Sequence, residues 1–430
     1  MMSTGVCRWA IGFLLTWVSA VPAWADDVVI KRHVTVRDQA SRQSAALTYP
    51  DIDTKLKLLD DGAKVHGYYH VLLPDGRAGW VYYTFVQRFP ETAATPPVGV
   101  TSSAVMAVHY INVDQGAAAL LEFPCGDILI DAGGRRGDQV SSDHLMAYLA
   151  AFFARRPDLN NTINAVFVTH THVDHNSNLK RVASTYRING YVHNGLTYGS
   201  GSANAKWMLS YAPTATPAIN TEAVSGEAVA AAGTSGITDA TIDPIACSGV
   251  DPKVRVLAGG WGDNPGWPDG DFDNGNNHSL VIRIDFGASS FLFTGDMEDT
   301  ALDTLVARYA GTFMLDADVW AVGHHGSYNG TTSSLLAAVT PKIAVISMGP
   351  STTQAQWTAW AYGHPRKQAV MLLVDAVSAR RLTPKSVTVA DKVKLFSSYT
   401  MTKAVYATGW DGDVTVGADT AGSYNVQLGQ

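Results

Sequence analysis

The chain has 430 residues, 31 of them basic and 38 acidic, for a formal net charge of −7. Apolar residues make up 46% and charged residues only 16%, which allows a sizeable core and argues against a coiled coil or a charge-driven disordered chain. The acidic balance disfavours a surface that attracts nucleic acid throughout. Three cysteines are too few for a disulfide-stapled scaffold or a four-cysteine zinc module.

Residues 1–25 have the order of a secretory signal: Arg8, an apolar run from Trp9 to Val18, then Ala23-Trp24-Ala25 before the expected cut. That run is shorter than the ~20 residues a membrane span needs, and no later segment is long and apolar enough. The mature chain is therefore expected in the periplasm or outside the cell, where Cys125 and Cys247 can pair. Residues 27–89 carry short β-forming stretches, with a turn at Pro74-Asp75-Gly76-Arg77. Tyr68, Tyr69, Trp80, Tyr82 and Tyr83 are expected to be mostly core. Residues 90–104 are Pro-, Thr- and Ser-rich and suit a linker. Residues 105–390 are expected to form the main domain. Within it, 198–275 reads as a Gly-, Ala- and Thr-rich insertion, and its Trp261–Trp267 stretch suits a loop near a substrate mouth. Residues 391–430 form a tail with β-like stretches such as Asp413 to Val416 and no readable role.

The strongest chemical signal is Thr169-His170-Thr171-His172-Val173-Asp174-His175. A buried strand, Ala165 to Val168, precedes it, and Asn178 to Tyr186 can form a helix after it. On an extended chain, side chains two apart face the same way, so His170 and His172 can grip one metal ion. Asp174 and His175 come as the chain turns and can reach a second. Imidazole and carboxylate suit zinc and related metals. The chain has 13 histidines, so three of them within six residues, together with an aspartate, are not an ordinary polar turn.

That motif matches in full the H-x-H-x-D-H of the metallo-β-lactamase fold family. Other segments resemble the family in order: Asn112 to Gly116 leading to Asp131-Ala132-Gly133, Asn276 to Ile282 leading to Thr294-Gly295-Asp296, then Val322 to Ser327, Pro341 to Ser347 and Gly363-His364-Pro365. Together they are similar to the hydrolase domain of ComEC-type competence proteins and relatives such as phosphorylcholine esterases. Val36-Arg37, Gly62 to Val65 and Pro74 to Val81 resemble the bacterial SH3-like domain, which often binds cell-wall or peptide ligands. The resemblances imply an α+β chain, an αββα sandwich preceded by a small all-β SH3-like barrel.

The family resemblance also implies roles. The metal ligands would be His170, His172, Asp174, His175, Asp296 as bridge, and His324, with His325 as alternative ligand or phosphate contact. Asp174 and His325 are the catalytic candidates. Asp131 would orient a ligand histidine from behind. Many members carry one more histidine before the T-G-D hairpin, and its spacing is lost here. His278 is the candidate substitute, His193 another nearby candidate, and His364 suits the pocket wall. One or two Zn2+ ions, or Mn2+, would activate water for attack on phosphorus or a carbonyl. Ser327 reads as a turn or phosphate-contacting residue, since no Asp/His relay accompanies it.

Three functions compete. The first is a secreted phosphodiesterase, for which Arg135, Arg136, Lys180 and Arg181 can make a local basic patch; its substrates would be wall polymers, lipids, small molecules or, less favoured by charge, nucleic acid. The second is a hydrolase of a lactone, thioester, β-lactam or other small ester. The third is a non-catalytic wall-binding protein led by the SH3-like module.

Overall fold

The computed structural model describes residues 27–52, 54–60, 64–89 and 105–429. The segments read as signal (1–25) and linker (90–104) lie outside the described residues. The chain divides into two compact units, residues 1–92 and 93–430.

The first unit is all β: β1 (Asp27–Ile30), β2 (Val36–Arg37), β3 (Ala46–Thr48), β4 (Lys55–Leu58), β5 (Lys64–Val65), β6 (Tyr68–Leu72), β7 (Ala78–Tyr82) and β8 (Val86–Phe89). The sheet order is β3-β2-β7-β6-β4-β1-β8, with β5 on β6. Every pairing is antiparallel, which is compatible with a small barrel. In β4 the alternation Lys-Leu-Lys-Leu sends Leu56 and Leu58 inward. They join Val28, Ile30, Val36, Val71 and Val81 in the core. The expected turn forms, with Leu73 N–H donating to the Arg77 carbonyl over 2.8 Å. Of the five aromatic residues expected to be mostly core, only Tyr68 is buried, and Tyr83 is 42% exposed. A short two-sided sheet has too little interior for them all. Trp80 instead stacks on its cross-strand partner His70, with ring centroids 4.4 Å apart.

The second unit holds a sheet of eight strands and a sheet of six. One uses β9 (Val105–Tyr110), β10 (Ala119–Phe123), β11 (Gly126–Ile130), β12 (Thr162–Val168), β13 (Arg187–His193) and β14 (Asn220–Ala223). The other uses β15 (Lys253–Ala258), β16 (Val281–Phe286), β17 (Ser289–Phe293), β18 (Val319–Ala321) and β19 (Ile343–Ile346). Then come a hairpin of β20 (Arg380–Lys392) and β21 (Leu395–Lys403), and β22 (Val405–Ala407), β23 (Val414–Asp419) and β24 (Tyr424–Leu428). The sheet orders are β14-β13-β12-β11-β10-β9-β23-β24 and β15-β16-β17-β18-β19-β22.

The central strands of the first sheet are apolar on both faces. Leu121, Ile128 and Phe167 enter a core shared with Ile282, Phe291 and Val319 of the second sheet. Leu120, Leu129 and Val166, one residue away, face Leu145, Phe152, Val182 and Met208 from helices 139–155, 179–185 and 202–211. This explains why these strands read as continuous apolar runs rather than alternating ones.

Two expectations change. The segment 391–430 is no separate tail: β20 runs through residue 391, β22 pairs with β19, and β23 pairs with β9 over six residues. The insertion 198–275 is largely ordered, supplying a ten-residue helix (Ser202–Tyr211), β14 and β15. Its Trp267 is buried, with the indole N–H donating to Thr304 Oγ1 over 2.9 Å. Trp261 and Trp267 line a small cavity over helix 299–308. Their large apolar area is drawn onto the core instead of a substrate mouth.

Cys125 and Cys247 form a disulfide, Cα–Cα 5.4 Å, tying the β10–β11 turn to the segment before β15. Next to it, Asp127 is fully buried. Its carboxylate accepts from the Asn164 backbone N–H (3.2 Å), while its other oxygen finds no partner among the described residues. Burial raises its pKa to about 7.

Two predictions follow from these features. Asp127 is neutral in the fold up to about pH 7 but ionises near pH 4 when unfolded, so its contribution is present at low pH and is lost as pH rises from about 4 to 7. Asp127→Asn should therefore flatten that decline and raise the melting temperature at pH 8, measured by thermal denaturation across pH. Reduction, or Cys125→Ser, should destabilise the protein by about 2–5 kcal/mol, read by denaturant titration with and without reductant.

Candidate metal centre

Loops following β11, β12, β17 and β18 converge at one place. Asp131 follows β11 with φ 59°. Gly133 comes so close to the next loop that a Cβ there would lie 1.6 Å from the Asp174 carbonyl oxygen, so only glycine lets the two loops meet. β12 ends at Val168, and Thr169 N–H then donates to Asp131 Oδ1 over 2.8 Å. His172 is the residue before a short helix, Val173–Asn176, whose first turn holds Asp174 and His175. After β18, His324 and His325 both take left-handed backbone conformations, φ 47° and 53°. Such conformations are costly for consecutive non-glycine residues, and they turn the imidazole of His325 into the site.

Asp174, His175, Asp296 and His325 form a group whose ligand atoms lie within 4.8 Å of one another. His175 Nε2 is 3.1 Å from Asp296 Oδ1, and His325 Nε2 is 3.4 Å from both Asp174 Oδ2 and Asp296 Oδ2. Each imidazole is held from behind. His175 Nδ1 contacts Asp131 Oδ2 at 2.7 Å, and His325 Nδ1 donates to the Ser347 carbonyl at 2.7 Å. With the proton fixed on Nδ1, the Nε2 lone pair of each ring faces the carboxylates. His170 Nε2, 4.0 Å from Asp296 Oδ2, is also turned inward. All three Nε2 atoms are buried without a hydrogen-bond partner.

These orphaned nitrogens and converging carboxylates fit a divalent cation. Burial lowers the His325 pKa, but the Asp296 and Asp174 carboxylates more than reverse this and raise it to about 10. Burial likewise opposes a charge on His175, yet Asp296 and Asp131 raise its pKa well above the ordinary value. Carboxylates that favour positive charge on two buried imidazoles also favour a cation between them.

The expected residues fall into distinct places. Asp131 orients His175. His325 rather than His324 closes the four-donor group. His324 points its Nδ1 toward Glu298 Oε1, 3.4 Å away. His170 and His172 stand side by side, ring centroids 4.7 Å apart, on the flank of that group. His278 does not substitute for the missing histidine. Its Nδ1 accepts from Trp261 N–H at 3.0 Å, its Nε2 lies 2.7 Å from the Phe272 carbonyl, and its ring packs on Trp267 and Phe272. His193 stacks on Tyr191 and accepts from Gly195 N–H, away from the cluster. Asn276 stands in the cleft instead, its amide donating to Glu298 Oε1 at 2.8 Å. Ser327 donates to Asn329 Oδ1, as a turn residue does.

The cluster opens into a cleft of about 250 Å3, lined by Gln115, Arg136, His172, Asn276, Trp357, Tyr362 and His364 among others. His364 lies in the wall, as expected, with Gln115 Nε2 3.1 Å from its Nδ1. Burial and the neighbouring His325 and His324 hold it well below its ordinary pKa, hence neutral. The basic patch is reduced to Arg136. Arg135 pairs with Asp114 and Asp138, Arg181 pairs with Asp143, and Lys180 lies over Trp207. Gln115, Glu298, Trp357 and Tyr362 were not found by sequence reasoning, although Tyr362 directly precedes the Gly-His-Pro motif.

His325→Ala and Asp296→Asn should each abolish tight binding of a metal ion, measured as metal per chain after dialysis. His278→Gln should keep the metal and lower stability by about 1–3 kcal/mol, because it breaks a buried hydrogen-bonded ring contact.

Recombination protein 2 of Haemophilus influenzae is 40% identical over 89 residues, 21% of this chain and 10% of that protein. ComE operon protein 3 of Bacillus subtilis is 33% identical over 98 residues, 23% of this chain and 11% of that one. The chain thus spans about a tenth of the length of these curated relatives. Among solved structures, the metallo-beta-lactamase fold protein YhfI from Bacillus subtilis aligns with 51% of this chain and 70% of its own, at 13% identity and a TM-score of 0.28. Residues 111–349, more than half of the chain, match the family model of the metallo-beta-lactamase superfamily, and the chain belongs to that superfamily.

Proposed function

We propose that the protein is an exported, metal-dependent phosphodiesterase. The observation that carries this reading is the pairing of a four-donor cluster with a cleft whose polar wall is made of donors: Arg136, Gln115 and neutral His364, with His324 beside them. Such a wall suits the oxygens of a tetrahedral phosphoryl group. Motif similarity to competence-protein hydrolase domains supports the same choice over carbonyl substrates.

Asp174, His175, Asp296 and His325 would hold the ion, Zn2+ or Mn2+, with His170 and His172 on its flank. A divalent cation bound there supplies Lewis acidity and a water nucleophile at neutral pH. The chain's own residues do the rest. Asp131 and the Ser347 carbonyl fix the tautomers of His175 and His325, so both rings present lone pairs inward. His364, neutral and backed by Gln115, lines the cleft beside His325. Arg136 places positive charge at the rim, where it attracts an anionic substrate. No side-chain nucleophile is needed.

The Cys125–Cys247 disulfide supports an oxidising compartment, in keeping with the signal-like start. The first unit would serve as an SH3-like module that docks on cell-wall ligands.

The test is turnover of bis(p-nitrophenyl) phosphate by the zinc- or manganese-loaded protein. Metal-dependent release of nitrophenol should fall at least a hundredfold in Asp296→Asn. A metal-loaded protein that cleaves lactones but no phosphodiester would overturn the reading.

A further inference from the structure

Beyond the imidazole–carboxylate cluster, the cleft wall becomes aromatic. His364 stacks beside His325, with centroids 5.9 Å apart. Tyr362 follows at 5.6 Å from His364, its plane only 19° away, and Trp357 stands 6.3 Å from Tyr362. The Arg136 guanidinium lies 4.7 Å from the Trp357 ring centre. All five side chains line the same cleft. The rings thus run in series from the reacting centre to the rim.

The outer two rings are open to water: Trp357 is 42% exposed and Tyr362 39%. Trp357 also holds a left-handed backbone conformation, φ 61°. Trp357 thus holds a costly conformation while its ring stays half open to water, and such outliers gather at functional sites.

We propose that Trp357 and Tyr362, with Arg136, form a subsite for a planar aromatic group carried on the substrate's phosphodiester. The inference rests on the phosphodiesterase reading and names its substrate class. A flat ring stacks on exposed aromatic faces regardless of its substituents, and Arg136 adds attraction for both π-electrons and phosphate charge. Aromatic walls also take quaternary ammonium groups, but the Arg136 charge repels such a guest. A nucleobase and an aryl ester share the chemistry that fits.

Three diesters with one leaving group test this: phenyl, methyl and 5′-thymidylyl p-nitrophenyl phosphate. The zinc-loaded wild type should favour the phenyl or thymidylyl ester over the methyl ester by about tenfold in kcat/KM, the size expected for one stacked ring. In a Trp357→Ala, Tyr362→Ala variant the ratio should approach one, while Trp357→Phe, Tyr362→Phe should retain it. Preference for the thymidylyl ester assigns a nucleotide, and preference for the phenyl ester an aryl diester. The same ratio in wild type and alanine variant, or no preference in wild type, overturns the subsite. Calorimetric binding of phenylphosphonate against methylphosphonate reads the subsite without turnover. If phenylphosphonate binds more tightly, and only with both rings present, the subsite stands even where no diester is cleaved and the phosphodiesterase reading fails. Turnover without ring preference means the reverse.

Discussion

The structure turns on the burial of Asp131 and Asp296 on either side of one imidazole. A carboxylate removed from water costs several kcal/mol unless it is paired and hydrogen-bonded. His175 lies between them, its Nδ1 2.7 Å from Asp131 and its Nε2 3.1 Å from Asp296, and Thr169 adds its hydroxyl and backbone N–H to Asp131. The partners must come from different strands, so the ends of β11, β12 and β17 have to meet. Gly133 and the left-handed residues Asp131, His324 and His325 are where the backbone accommodates that meeting. A centre so built is over-determined, which is how its strained conformations persist.

Its two flanks are unequal. On one side the four-donor group is compact and fixed from behind. On the other, His170 and His172 stand side by side, and the cleft wall carries an amide, Asn276, that donates to the Glu298 carboxylate.

Much of the centre was legible in the sequence because its residues are local. His170 to His175 lie within six positions, and the strand before them is an unbroken apolar run. Asp131 and Asp296 were readable because each closes a β-hairpin with a recognisable ending. The choice between His324 and His325 was not readable. Adjacent residues point in different directions according to backbone φ, and the left-handed pair is a tertiary outcome. His278 misled because the sequence shows a histidine near the right position but not the Phe272 carbonyl and Trp261 N–H that occupy it. The tryptophans of 261–267 misled for a related reason: exposed-looking composition says little about which large ring finds a core. Trp357 and Tyr362 belong to a segment with no periodicity, and only the cleft gives them meaning. The role of 391–430 lay in pairings with β19, some 60 residues away, and with β9, some 300 residues away, beyond any local pattern.

Those distant pairings bear on how the chain reaches its fold. β9 lies between β10 and β23, and β19 lies between β18 and β22. During synthesis from the N-terminus, the edges of β9 and β19 stay unpaired until the last tenth of the chain has emerged. An open apolar strand edge invites wrong partners, and contacts so far apart form slowly. The second unit therefore cannot close piecemeal. It remains an unfinished sandwich until residues 405–419 arrive, which delays the assembly of the Asp174–His175–Asp296–His325 group until both sheets are complete.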